Sequence, residues 1–408
     1  MTENTLDEKK YLLYREAKQD PIDSENVSKI LKEYLTANLN LSVLLGSGSS
    51  ILSIPIMGRT FKEYKGSLTA NDKENLDYLT DKYKETSAGL RDTEVENIEL
   101  FLSWLSSRIE GMAQSELVHG EVQIKKELIE KLLSSVKTGY YNEVNETVTN
   151  DSGESLPLYR AFISKLVGTR VIADDSHDVV NIFTPNYDLY VEKALDDMGL
   201  PYTDGFRSGL ESEFNISEYG RRIVDTTKRY RDKWSTVSPF FRVYKLHGSL
   251  NWQRYPDGTV KKVYGMENGS ENLLIAPTSS KYADTQGFPF SDLFRELSVE
   301  MLKPNTVLLI NGYGFGDEHI NNFLVQALGR PDFTLIAFIE PTPQQLNFVD
   351  AVKERIGAIF ISNAKNLDFK SDQPEGPDNW RYLSGEGHHF KSLIEFMDFS
   401  LEYEGEEL

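Results

Sequence analysis

Short apolar runs recur along the chain at Leu41–Leu45, 179–184 (VVNIFT), 241–246 (FRVYKL), 272–276 (NLLIA), 306–310 (TVLLI) and 333–339 (FTLIAFI). Such runs are too short for buried helices and are bounded by Gly, Pro or Asn, so they predict strands buried on both faces. Helical periods lie before and between them. One starts at a cap on Ser24 and runs through ENVSKILKEYLTAN; others span Asp317 to Leu328 and Pro343 to Arg355. Strands apolar on both faces that alternate with helices predict an α/β chain, a Rossmann-like parallel sheet with helices on both faces.

The stretch from 62 to 168 has a different texture: charged, poor in Gly and helical in period, with Ile98, Leu102, Leu105 and Ile109 stepping by four, three and four along one face. It reads as a helical insertion, with a loop at 142–155 inside it. The expected organisation is therefore a Rossmann-like domain from 1–61 and 169–362, the insertion at 62–168, and an acidic extension at 363–408 holding one amphipathic helix near His389–Leu401.

Charge and composition narrow the function. With 44 Lys and Arg against 64 Asp and Glu the net charge is −20, so no direct nucleic-acid binding is expected, because phosphate neutralisation needs clustered cations. The absence of cysteine excludes disulfides, thiolate zinc, iron–sulfur clusters and a thiol nucleophile. The start, MTENTLDEKK, has no apolar signal core, and no run approaches about 18 apolar residues. The expectation is a soluble, cytoplasmic chain that meets no membrane.

Four segments carry candidate chemistry. Gly46-Ser47-Gly48-Ser49-Ser50 follows the first strand, where glycines let a pyrophosphate approach unpaired amide groups; an ordinary glycine turn is the alternative. Thr184-Pro185-Asn186-Tyr187-Asp188 ends the second apolar strand: Asn186 suits a water or ribose hydroxyls, while Asp188 also suits a helix cap. His247, in Lys245-Leu246-His247-Gly248, is a candidate proton acceptor or a structural hydrogen-bonder. Gly312-Tyr313-Gly314-Phe315-Gly316-Asp317-Glu318-His319 again suits close approach to phosphate or ribose. A metal site at Asp317, Glu318 and His319 is disfavoured, since neighbours at a helix start point apart, and no metal is expected.

In this order along the chain, Gly-Ser-Gly-Ser-Ser, Thr-Pro-Asn-Tyr-Asp, Leu-His-Gly-Ser and Gly-Tyr-Gly-Phe-Gly-Asp-x-His-Ile-Asn resemble the sirtuin-like NAD-consuming family. YKLHGSLNW, SSKYADTQGFPFSDLFRE and INGYGFGDEHINN resemble the sirtuin-like subunit of the bacterial sirtuin–HerA (Nezha) antiphage system, over about residues 40 to 330. The resemblance implies that Gly46, Ser47, Gly48 and Ser50 form the phosphate loop. Asn186 takes the place of the catalytic asparagine, Asp188 completes that element and His247 takes the place of the catalytic histidine. Gly312, Gly314 and Asp317 belong to the loop at the adenosine end of NAD. Pro185 stands where the family has Thr or Gln. The four-cysteine zinc module of deacetylating sirtuins is impossible here, which favours hydrolysis over deacylation. The implied activity is an NAD glycohydrolase, with NAD as substrate and no zinc, cleaving the nicotinamide–ribose bond through an oxocarbenium-like state. It would deplete NAD in abortive infection, gated by a hexameric HerA-type ATPase, as a homo-oligomer reaching a dodecamer. Two alternatives stay open: a non-catalytic module sensing NAD or ADP-ribose, and a nuclease subunit acting with the ATPase.

Overall fold

A computed structural model describes residues 11–54, 69–86, 101, 104–105, 117–119, 122–124, 154–172, 178–230, 233–263, 271–274, 286–340, 342–362 and 389–399. The strands in chain order are β1 (Tyr11–Arg15), β2 (Lys18–Ile22), β3 (Asn40–Leu45), β4 (Leu117–His119), β5 (Val122–Ile124), β6 (Val179–Thr184), β7 (Tyr202–Thr203) and β8 (Val224–Tyr230). They continue as β9 (Lys233–Thr236), β10 (Phe240–Lys245), β11 (Gly248–Arg254), β12 (Val260–Lys262), β13 (Glu271–Leu274), β14 (Thr306–Asn311), β15 (Phe333–Phe338) and β16 (Ala358–Ser362). The helices are α1 (Ser24–Leu35), α2 (Ala70–Thr86), α3 (Ser155–Ile172), α4 (Tyr190–Asp197), α5 (Phe290–Met301), α6 (Glu318–Ala327), α7 (Pro343–Val352) and α8 (His389–Phe396).

Nine strands form the central sheet in the order β2-β1-β16-β15-β14-β3-β6-β10-β7. From β16 to β7 every pairing is parallel. Both faces are covered, and the alternation of each strand shows it. Val307 and Leu309 enter one apolar cluster with α1, α3, α4 and α8, whereas Leu308 and Ile310 enter the other with α5, α6 and α7. Continuous apolar runs are what a doubly covered sheet demands, so the expected Rossmann-like α/β fold is the observed one.

The strand order places a crevice. From β3 the chain proceeds outward through β6 and β10, then returns to β14 on the other side of β3 and proceeds outward again through β15 and β16. The order thus reverses between β3 and β14. In open α/β sheets ligands bind outside the carboxyl ends of the strands at this reversal.

Sequence and structure diverge at the margins. β1 and β2 form an antiparallel hairpin on the sheet edge, and β16, between β1 and β15, belongs to no expected run. The hairpin turn puts Glu16 and Ala17 at φ of 50° and 59°, without the Asn-Gly that usually announces such a turn. α3 crosses the expected boundary at 168, and its Tyr159, Phe162, Ile163 and Leu166 lie in the core of the sheet's second face. α8 of the C-terminal extension packs there too, with Phe390 against the rings of Tyr159 and Phe162. Within the insertion, Tyr83, Phe101 and Trp104 pack ring to ring and Leu105 is buried. Ile98, Leu102, Ile109 and most of the loop at 142–155 lie outside the described residues.

Candidate active site

Four adjacent strands, β14, β3, β6 and β10, carry the site at their C-terminal ends. Leu44 pairs with Ile310 on one side of β3 and with Phe183 on the other, so the loops after β3, β14 and β6 emerge side by side. β10 ends in register with β6, Lys245 opposite Thr184. Asn186 and His247 therefore each stand two residues past a paired strand end. The sheet brings together what the sequence places 61 residues apart.

The two glycine loops pack on each other by backbone. Gly46 N–H donates to Asn311 O at 2.9 Å, and Gly48 N–H to Gly312 O at 2.9 Å. A Cβ on Gly46 would sit 2.3 Å from Gly312 O, and one on Gly312 would sit 2.3 Å from Ser49 N. Gly312 is moreover left-handed, at φ +67°. These glycines are required by loop-on-loop contact. This corrects the expected reason for them, free amides turned to an anion: the N–H groups of Ser49 and Ser50 bond back to Gly46 O and Ser47 O in a single turn of 3-10 helix. Ser47 is the exposed residue of the loop. Gly314 is different, because a Cβ there would meet nothing within 4 Å. Its side of the loop is open toward solvent and able to take a ligand.

The second loop is held from below. Phe315, at φ +54°, stacks on Phe348 with ring centroids 4.3 Å apart, and its carbonyl accepts from Asn321 Nδ2 at 2.8 Å. Gln345 Nε2 donates to Tyr313 O at 3.1 Å. Burial raises the Tyr313 phenol well above its ordinary pKa, so it stays a neutral donor, to Asp317 O and Asn321 Oδ1.

Asn186 is half-buried and anchored on the first loop: Nδ2 donates to Gly46 O at 3.0 Å and reaches Ser50 Oγ at 3.4 Å. Its backbone N–H donates to Thr184 Oγ1 at 3.0 Å, and that hydroxyl donates to Leu45 O at 2.7 Å. Asp188 is buried and faces inward. Its Oδ2 accepts from Ser50 Oγ at 2.9 Å and its Oδ1 from Tyr190 N–H at 3.2 Å, while Lys245 Nζ donates to its carbonyl. Since Ser50 gives its one proton to Asp188, the 2.8 Å contact between Ser50 Oγ and Tyr159 Oη has the phenol as donor. Burial, and then the nearby Asp188 carboxylate, hold the Tyr159 phenol far above its usual pKa, which keeps it in that role. Ser50, Asp188 and Tyr159 thus tie three elements together behind Asn186. Asp188 thus engages both carboxylate oxygens inside the fold, one on the first N–H of α4 and one on Ser50.

His247 is 3% exposed, and its Nε2 lies 3.3 Å from Nε2 of His319. The edge of the Phe294 ring packs on His319, with centroids 4.9 Å apart. Asp317, the residue preceding α6, brings a carboxylate oxygen within 4.8 Å of both imidazoles. The expectation that residues at this helix start diverge applies to the exposed Glu318, whereas Asp317 and His319 converge on His247. Sequence reasoning missed His319 as a neighbour of His247, since 72 residues separate them and only the strand order joins them. It missed Tyr159 because that residue sits in the stretch assigned to the insertion.

Asn311 also belongs to this edge. It is 1% exposed and accepts from Ser49 Oγ at 3.0 Å through Oδ1, while its Nδ2 has no partner among the described residues. An orphan donor under the crevice, an open Gly314 and an exposed Ser47 fit a polar, phosphate-bearing ligand. Residues 180–355 match the family model of the SIR2-like domain, a domain whose substrate is NAD. The match takes in Asn186, Asp188, His247, Gly312, Gly314 and Asp317, stops short of the Gly46–Ser50 loop, and supports a sirtuin-like protein. No curated protein matches the chain.

Proposed function

We propose that this SIR2-like domain is an NAD glycohydrolase, releasing nicotinamide and ADP-ribose from NAD bound across the β3–β14 crevice. The carrying observation is the placement of Asn186, anchored on Gly46 O at the strand-order reversal, beside the strand that delivers His247. NAD supplies a ribosyl carbon whose bond to the cationic nicotinamide ring is already activated. The chain supplies position and a proton acceptor. Asn186 orients the attacking water or the ribose hydroxyls, and His247 takes a proton as general base. Asp188, Ser50 and Tyr159 hold Asn186 in place. The open face at Gly314 takes the adenosine end. Pro185 limits the backbone leading to Asn186, and no thiolate zinc module accompanies the domain, in keeping with hydrolysis rather than deacylation.

The biological role follows the motif resemblance: NAD depletion in antiphage defence, carried out by a homo-oligomer, up to a dodecamer, under the control of a hexameric HerA-type ATPase. What supports it is the shared order of the four motifs, ending in Gly312–Asn321. A hydrolase separates from a sensing module in one experiment. His247→Ala is expected to bind NAD with wild-type affinity by calorimetry while turning it over about 10²–10⁴-fold more slowly, the usual contribution of a general base. Undiminished turnover in this variant would refute the role of His247. Binding with no turnover in the wild type, with or without the ATPase, would favour the sensing module.

A further inference from the structure

His247, His319 and Asp317 come from three places: the turn after β10, the first turn of α6 and the residue preceding it. Their ligand atoms, two imidazole Nε2 and one carboxylate oxygen, all lie within 4.8 Å of one another. The two nitrogens are 3.3 Å apart. A tetrahedral ion with two imidazoles at about 2.0–2.1 Å sets their nitrogens about 3.3–3.4 Å apart, so the pair already has the spacing of one coordination edge. Without an ion the same contact is a hydrogen bond between the two rings, donor and acceptor set by the tautomers, and an ion would replace the shared proton. The Asp317 oxygen lies within 4.8 Å of both nitrogens, so a shift of about 1.5 Å at most brings it to the tetrahedral edge length. The surroundings suit an ion as well: His247 is buried, and Phe294 walls His319 on one side.

We infer that His247, His319 and Asp317 bind one divalent transition-metal ion of the zinc class, and that this ion silences the active site. Two imidazoles and one carboxylate select zinc or cobalt over magnesium and calcium, which prefer oxygen ligands throughout. Coordination occupies the Nε2 lone pair of His247. The reaction proposed above needs that same lone pair to accept a proton. Ion and base therefore exclude one another, and the metal-free chain is the active one. The inhibitory role rests on the glycohydrolase reading; the binding site does not.

The test uses the full chain stripped with EDTA. Cobalt(II) is titrated in, followed by its visible absorption, and zinc then displaces it. One ion per chain is expected, with affinity at least tenfold weaker in His319→Gln and in Asp317→Asn, both checked for folding by thermal melting. In parallel, zinc is expected to inhibit NAD hydrolysis by the wild type and EDTA to restore it, while half-inhibition of His319→Gln takes at least tenfold more zinc. No bound cobalt, or binding unchanged in both variants, overturns the site. Hydrolysis that zinc accelerates or leaves alone overturns the inhibitory role. A stripped chain that binds cobalt as described yet releases no nicotinamide, alone and with the ATPase, keeps the site and removes both the hydrolase reading and the silencing role.

Discussion

At the scale of single residues, the glycines separate structural from ligand-facing positions. Gly46 and Gly312 sit where a Cβ would strike backbone at 2.3 Å, and neither loop can retreat without breaking the bonds between them. Gly46→Ala or Gly312→Ala is expected to destabilise the fold by about 2–3 kcal/mol, read from urea midpoints. Gly314→Ala should melt with the wild type and instead raise KM for NAD, because its Cβ enters the open face assigned to the adenosine end. Equal stability losses at all three positions would contradict this division. The sequence displays all of these glycines with the same emphasis, and nothing local tells Gly314 from Gly312. The difference arises from which loop lies opposite. The placement of Asn186 and His247 past strand ends was legible because each follows an apolar run; the His247–His319 pair was not, because it exists only once β10 and α6 are set on one edge of the sheet.

At the scale of elements, the chain's pattern revealed those whose burial is two-sided. β3, β6, β10, β14 and β15 are continuous apolar runs, and each is a sheet strand. β2 (KQDPI) reads as polar because it is the sheet edge, exposed or half-buried throughout, while β1 (YLLYR) is apolar but too short and too close to the polar start to stand out. The expected boundary at 168 falls inside α3 because its helical period continues that of the insertion before it, yet its apolar side completes the core beside β3 and β6. The C-terminal helix makes the sharpest prediction at this scale. Phe390 is 0% exposed and meets Tyr159, which holds Ser50 behind Asn186. Phe390→Ala is expected to cost about 3–5 kcal/mol of stability. NAD turnover should also fall, since a displaced Tyr159 loosens the tether. A variant with unchanged melting would show that α8 contributes nothing to the core.

At the scale of the whole molecule, five buried or half-buried phenols govern the alkaline limit. Burial raises Tyr159, Tyr202, Tyr219, Tyr244 and Tyr313 well above the ordinary tyrosine value of 10.0. A phenol held protonated in the fold and free to ionise in the unfolded chain contributes stability that is intact below the unfolded pKa and is lost as pH rises above it. Unfolding therefore releases protons above about pH 10, and each phenol steepens the loss by about 1.4 kcal/mol per pH unit. Urea midpoints should be flat from pH 8 to 9.5 and fall beyond, less steeply in Tyr219→Phe than in the wild type. An identical fall in that variant would show that Tyr219 ionises in the folded state. Among the described residues no helix is long and apolar enough to cross a membrane.

The central claim is that the residues gathered at the β3–β14 reversal cleave NAD. Its most direct test is chromatography of NAD incubated with the purified chain, alone and with a HerA-type ATPase, alongside Asn186→Ala. The account predicts nicotinamide and ADP-ribose in equal amounts from the wild type, a rate that changes when the ATPase is added, and no products from the variant. NAD left intact by the wild type under both conditions, or cleaved equally by Asn186→Ala, would contradict it.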